Sequence, residues 1–209
     1  MLIPFKSLVK KYGTPKGVLH IGASHGQEAK DYLGSGVEKV VWVEAIPTVF
    51  EKLIQTISPY DNMIALNACI ADADGYEVDF YVSNNEAQSS SILKLGTHKT
   101  AHPEVHYTHT IKCITKRVDT LLKENQIDAA NYNFLNIDLQ GAELLALKSL
   151  GKEIDKIDYA YLEVNKEPLY VGCALIEDID KFMAEKGFKR VELEWCGNFG
   201  WGDAFYTKK

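Results

Sequence analysis

Three acids stand in or directly after short apolar runs: Glu44 after Val40-Val41-Trp42-Val43, Asp138 after Phe134-Leu135-Asn136-Ile137, and Glu163 within Tyr159–Val164. In an open α/β sheet, ligands lie outside the carboxyl ends of the strands, so these acids are expected to face one crevice. A glycine loop, Gly22-Ala23-Ser24-His25-Gly26, follows a further run, Val18-Leu19-His20-Ile21. Glycines at such a turn let backbone N–H groups approach a ligand, and Glu44, 22 residues after Gly22, is placed to take both hydroxyls of a ribose. The loop lacks the G-x-G-x-x-G spacing that holds a pyrophosphate, and a turn needed only for strand-to-helix packing is the plain alternative. Ala71-Asp72 adds a carboxylate able to accept from an adenine amine, although a simple turn beside Asp74-Gly75 explains it equally well. Asp138 also suits a helix N-cap.

Four histidines crowd His98-Lys99-Thr100-Ala101-His102-Pro103-Glu104-Val105-His106-Tyr107-Thr108-His109. His98 and His102 have a helical offset, but Pro103 stops one helix from reaching His106, and no H-E-x-x-H arrangement occurs. A polar loop with one or two site-facing imidazoles is the simpler reading, and no metal site is expected here. Oxygen donors such as Asp138, Glu163 and Asn165 offer a divalent-ion variant of lower weight. Ser89-Ser90-Ser91 reads as plain loop or as hydroxyl donors at a lid over the crevice.

These residues need a scaffold, and the alternation of strand-like and helix-like segments supplies one: a mostly parallel sheet with helices on both faces. Phe5, Leu8, Val9 and Tyr12 form a helical stripe ended by Gly13-Thr14-Pro15, giving an N-terminal helical extension over residues 1–16. A third strand is expected over Met63–Cys69 and alternating strands at Tyr76–Val82 and Thr110–Ile114, with a short helix capped by Asp119. Residues 84–109 are polar and irregular, as in a lid or substrate loop. Glu143–Leu150 reads as a helix stopped by Gly151. At the C-terminus, Lys189–Trp195 and Ala204–Thr207 have no helix between them, so they are expected as an antiparallel pair closing the sheet.

Length and composition bound the rest. The 209 residues suffice for a single domain over 1–209, and 46% hydrophobic with 25% charged residues excludes a disordered chain. A formal charge of −6 argues against nucleic acid or an anionic membrane as partner. No apolar run is long enough to cross a bilayer, and Pro4 and Lys6 interrupt any leader, so a cytoplasmic location is the expectation. Cys69, Cys113, Cys173 and Cys196 form no C-x-x-C pair and read as small packing residues.

With these segments in order, the sequence resembles the FkbM family of S-adenosylmethionine-dependent methyltransferases from about Val18 to the C-terminus. The segments that carry it are Val18–Gly26, Val40–Ala45, Asn84–Leu93, Phe134–Leu145, Tyr161–Val164 and Gly202-Asp203-Ala204-Phe205-Tyr206. The resemblance implies a seven-stranded class I methyltransferase fold, S-adenosylmethionine as cofactor, and O-methylation of a hydroxyl on a small molecule or saccharide. By position it assigns Gly22, Ala23 and Gly26 to the methionyl moiety, Glu44 to the ribose and Asp72 to the neighbourhood of the adenine, with His20, Ala45, Ala71 and Asp138 also among the cofactor-binding residues. Asp138 matches the aspartate of the family's I-D-x-E-G segment. His20 stands where such enzymes often carry an acid, and Gln140 replaces the segment's glutamate. For proton removal from the acceptor, Asp138 comes first, with Glu163 and His102 behind it. Aromatic Tyr170, Phe199 and Trp201 suit a ring-bearing acceptor. The rival readings are a nicotinamide-dependent oxidoreductase, or a catalytically silent cofactor-binding protein of the same fold.

Overall fold

A computed structural model describes residues 1–208. The chain runs α1 (Phe5–Tyr12), β1 (Gly17–Ile21), α2 (Ala29–Gly34), β2 (Lys39–Glu44), α3 (Pro47–Ile57), β3 (Met63–Asn67). It continues with β4 (Cys69–Ile70), β5 (Glu77–Ser83), α4 (His98–Ala101), β6 (Tyr107–Lys116), α5 (Val118–Glu124), β7 (Phe134–Ile137) and α6 (Glu143–Ser149). The last elements are β8 (Tyr159–Asn165), α7 (Ile176–Glu185), β9 (Phe188–Trp195) and β10 (Trp201–Lys208), with 3-10 turns at Ala129–Asn131 and Gly151–Lys156.

Seven strands form the main sheet in the order β3-β2-β1-β7-β8-β10-β9, all parallel except β10, which runs antiparallel to β8 and β9. The expected fold class, terminal antiparallel pair included, is therefore the observed one. β1 lies mid-sheet and is buried on both faces, which is why Val18-Leu19-His20-Ile21 is near-continuously apolar. Leu19, Ile21, Val41, Leu135 and Leu162 pack toward α5, α6 and α7; Val18, Val40, Trp42 and Phe134 pack toward α1, α2 and α3. Among the described residues no helix is long and apolar enough to cross a membrane.

Three local expectations are corrected. The strand expected over Met63–Cys69 breaks at Ala68: Met63–Asn67 joins the main sheet, while Cys69–Ile70 turns away to pair with β6 in a three-stranded sheet, β4-β6-β5. Asp119 does not cap α5 from outside. It sits in the first turn, accepts from Thr120 N–H at 2.8 Å and holds the Arg117 guanidinium, whose Nη2 also reaches Ser149 O. Nor does Asp138 cap α6; Glu143, the helix's own first residue, accepts from Leu139 and Gly141 N–H at 2.9 and 3.0 Å.

The one histidine inside β1 carries a buried polar relay. His20 stacks on Trp42 with centroids 4.9 Å apart, its Nδ1 lies 3.1 Å from the Tyr32 hydroxyl, and Asn136 Nδ2 donates to that hydroxyl at 2.8 Å. Burial pushes the His20 pKa down to about 3, so the ring is neutral, and in the tautomer with the proton on Nε2 its Nδ1 accepts from the Tyr32 hydroxyl. Tyr32→Phe strands both His20 Nδ1 and Asn136 Nδ2. A loss of about 1–3 kcal/mol in urea unfolding is expected, and unchanged stability would contradict the relay.

Candidate active site

The order of the main sheet reverses between β1 and β7, and there the two strand ends nearly touch. Asp138 N–H donates to Ile21 O at 3.0 Å. A Cβ on Gly22, whose φ is +83°, would lie 1.7 Å from Asp138 O, so only glycine fits. Chain after β1 is thereby thrown to one side and chain after β7 to the other, opening a crevice of about 520 Å³ along the carboxyl edge of the sheet, within the usual range of a small-molecule site.

Glu44 closes one end of the cavity. It is 8% exposed, its Oε2 accepts from Ser24 N–H at 2.9 Å and its Oε1 from Ile46 N–H at 2.8 Å. Burial outweighs these donors and raises its pKa to about 7. Each oxygen keeps a lone pair for a further donor, and two adjacent hydroxyls match that geometry. Beyond it Ala68, Ile70 and Phe80 form an apolar wall.

The other end gathers acids. Asp138, Glu163 and Asp203 line the cavity, and Glu163 and Asp203 face each other in the β8–β10 register. Asp138 is surrounded by protein yet opens onto the cavity; Glu163 is buried. Desolvation and mutual repulsion raise the pKa of both, and Glu143 behind them is raised for the same reasons. Asp138, Glu143 and Glu163 bring carboxylate oxygens within 4.8 Å of one another. The Gln140 amide lies between two of them, donating to Asp138 Oδ1 at 2.6 Å and Glu163 Oε2 at 2.8 Å. The Gln140 N–H thus links two of the acids into a hydrogen-bonded cluster, and Asn165 is buried on β8 with both amide atoms unpartnered among the described residues.

Not every residue singled out in the sequence faces this space. His20, Gly22, Glu44, Ala45, His102, Asp138 and Glu163 line it. Ala23 is packed in the core, and Gly26 is there for packing: a Cβ would meet Leu53 at 2.8 Å. Ala71 and Asp72 lie outside the lining because the chain has already turned into the small sheet; Asp72 is exposed, its carbonyl taken by Arg117. The loop also offers less backbone than its glycines imply. Gly22 and Ala23 N–H donate to Val43 O, Ser24 N–H to Glu44, and Gly26 N–H to Ala23 O. None of these four is left for a pyrophosphate.

Residues 84–109 form the outer wall. Ser89 and Ser90 line the cavity while bracing the loop through Asn85 and Ser83, and Ser91 Oγ donates to Gln140 O at 2.9 Å. His98 and His102, ring centroids 4.9 Å apart, both face the cavity, and Phe199 stacks on His102. His98 is 4% exposed and its Nδ1 has no partner among the described residues. The sequence reading missed His98, Asp203 and Gln140 as site residues. The antiparallel closing pair was the one signal that would have set Asp203 opposite Glu163.

The pattern of the methyltransferase FkbM domain matches residues 20–190. The chain belongs to the FkbM methyltransferase family. Among solved structures it is similar to methyltransferase FkbM from Methylobacillus flagellatus KT, with TM-score 0.59, 14% identity, and coverage of 98% of this chain and 48% of that one. The chain thus spans about half the length of that relative. It is also similar to magnesium protoporphyrin IX methyltransferase from Synechocystis PCC 6803 with bound S-adenosylmethionine, with TM-score 0.54, 11% identity, and coverage of 97% and 75%. A third is Streptococcus pneumoniae Sp1610, a putative tRNA methyltransferase in complex with the same cofactor, with TM-score 0.52, 11% identity, and coverage of 100% and 73%. No curated protein matches the chain. At these identities the structures establish the class I methyltransferase fold.

The contact at the switch point gives this FkbM-family site its shape, and one atom tests it. Gly22→Ala should lower stability by more than about 3 kcal/mol, through backbone collision added to a left-handed φ. Thermal unfolding within a few degrees of the parent would show that the β1 and β7 ends do not meet as described.

Proposed function

We propose that this FkbM-family chain binds S-adenosylmethionine and transfers its methyl group to a hydroxyl of an uncharged small molecule or saccharide. The observation that carries the reading is Glu44, a buried carboxylate with both oxygens fixed by backbone N–H groups, across the crevice floor from Gly22. Bound there, the cofactor supplies a methyl group on a positively charged sulfur. Glu44 and Ala45 take the ribose, with Ala68, Ile70 and Phe80 against the adenine; Gly22 and His20 are left for the methionyl end. The family-based assignment of Asp72 to the adenine, with Ala71 among the cofactor-binding residues, is not kept, since neither lines the cavity.

The acid cluster sits at the acceptor end. An alcohol is a weak nucleophile, and a carboxyl whose pKa has been raised toward neutrality is a better proton acceptor than an ordinary one. Asp138, open to the cavity, fills that role, with Glu163 beside it; His102, stacked on Phe199 at the outer wall, orients a ring-bearing acceptor together with Trp201. Among the described lining residues none is lysine or arginine. A phosphate-bearing acceptor would find no lysine or arginine there and several carboxyl groups, which supports a neutral hydroxyl compound over nucleic acid. A nicotinamide dinucleotide fits poorly for a second reason: four glycine-loop N–H groups, those of Gly22, Ala23, Ser24 and Gly26, are already bonded within the protein.

Calorimetric titration with S-adenosylhomocysteine beside NAD tests the cofactor. Binding of the former alone is expected; NAD alone would overturn the reading, and neither would favour a silent fold. Affinity should rise from pH 6 to pH 8, because ribose hydroxyls donate to ionised Glu44, whose pKa is about 7. Glu44→Ala should weaken binding roughly 10–100-fold and flatten that profile. Asp138→Asn should spare binding and lower turnover by roughly 10²–10⁴-fold; unchanged turnover removes Asp138 from the mechanism.

A further inference from the structure

Gln140 makes more directed contacts at the acceptor end than its exposure would suggest. It lies in the loop from β7 to α6 with φ +52°, next to Gly141 at φ +99°. Its Nε2 donates to Asp138 Oδ1 at 2.6 Å and to Glu163 Oε2 at 2.8 Å, while its Oε1 accepts from the Tyr170 hydroxyl at 2.5 Å. With the two acids ionised, the opposite amide orientation would turn a carbonyl oxygen toward two carboxylates, which favours the orientation described. The backbone is pinned as well: Ser91 Oγ, from the outer wall, donates to Gln140 O at 2.9 Å, and Glu143 accepts the N–H groups of Leu139 and Gly141.

We propose that Gln140 is a positioning residue for the acceptor end of the cavity, tying Asp138 and Glu163 into one hydrogen-bonded unit and fixing how the Asp138 carboxyl faces the acceptor hydroxyl. The assignment rests on the proposed methyl transfer for its meaning, but its geometry does not depend on it. The two acids come from the ends of adjacent parallel strands, where repulsion would otherwise turn them apart. Gln140 places a neutral donor between them, occupies Asp138 Oδ1 and leaves Oδ2 without a protein partner among the described residues. Tyr170 closes the chain of donors on the far side, and Tyr170 itself is packed against His98, ring centroids 5.4 Å apart. One amide thus joins β7, β8, the loop carrying Tyr170 and, through its backbone, the outer wall.

The groups that face this pair are Glu143 from α6, Asp203 from β10, Glu28 ahead of α2, Tyr170, and the amino group at Met1, of which only the last lowers a carboxyl pKa by its charge. Donation from Gln140 favours the ionised form of both acids. Removing it should therefore move their titration upward.

The experiment is a pH titration of the side-chain carboxyl carbon signals of Asp138 and Glu163 in the full carbon-13-labelled chain, comparing the parent with Gln140→Met and Gln140→Glu. Methionine keeps the volume and removes the donors; glutamate keeps the shape and adds a third acid. Both variants should raise the pair's titration by about one pH unit or more, glutamate the further of the two. Parent-like titration in both would overturn the assignment, as would loss of folding in both, which would make Gln140 a structural residue only. The titration needs no ligand. Failure of the parent to bind S-adenosylhomocysteine would therefore count against the proposed activity alone.

Discussion

The architecture of the site depends on one close approach, that of the Gly22 Cα to the Asp138 carbonyl. Adjacent parallel strands stand about 4.8 Å apart, and where the sheet order reverses their continuations must part in opposite directions. With no Cβ at Gly22, the end of β1 can lie against the end of β7 and still turn. That turn carries Ser24 to Glu44 and leaves Asp138 pointing out of the sheet edge. The Glu44 end and the acid-cluster end of the cavity are consequences of the same contact, set on its two sides.

The second organising fact is an excess of acidic over basic side chains. Glu28, Glu44, Glu104, Asp138, Glu163 and Asp203 all reach the cavity, and lysine and arginine are missing from its described lining. Burial raises the pKa of Glu28, Glu44, Asp138 and Glu163, and neutral donors take up oxygen lone pairs: backbone N–H at Glu44, the Gln140 amide at Asp138 and Glu163, the Tyr161 hydroxyl at Asp203. The result is a cavity poised for a cationic ligand at its centre and a proton at its rim. A sulfonium cofactor, with its positively charged sulfur, suits such a lining.

The centre of the sheet was legible in the sequence because β1, β2 and β7 are short apolar runs ended by a glycine or an acid, so Glu44 and Asp138 could be placed from that punctuation and Glu163 from the apolar run around it. Asp72 could not. The run through Met63–Cys69 is continuous in composition, and nothing in its periodicity marks Ala68 as the point where the chain leaves one sheet for another. Gln140 and His98 were illegible for a different reason. Their importance lies in partners brought from distant segments, Tyr170 and Glu163 in one case and Tyr170 and the cavity in the other, and side-chain contacts of that kind have no signature in local spacing. The glycine loop reads correctly as a turn but too generously as a cradle, since Val43, Glu44 and Ala23 take the N–H groups of Gly22, Ala23, Ser24 and Gly26.

The most direct measurement is a crystal structure of the chain with S-adenosylhomocysteine. The account predicts ribose hydroxyls on the Glu44 carboxylate, adenine against Ile70 and Phe80, and the thioether sulfur facing the Asp138, Gln140 and Glu163 cluster. A ligand bound elsewhere, or one whose ribose makes no contact with Glu44, would contradict it.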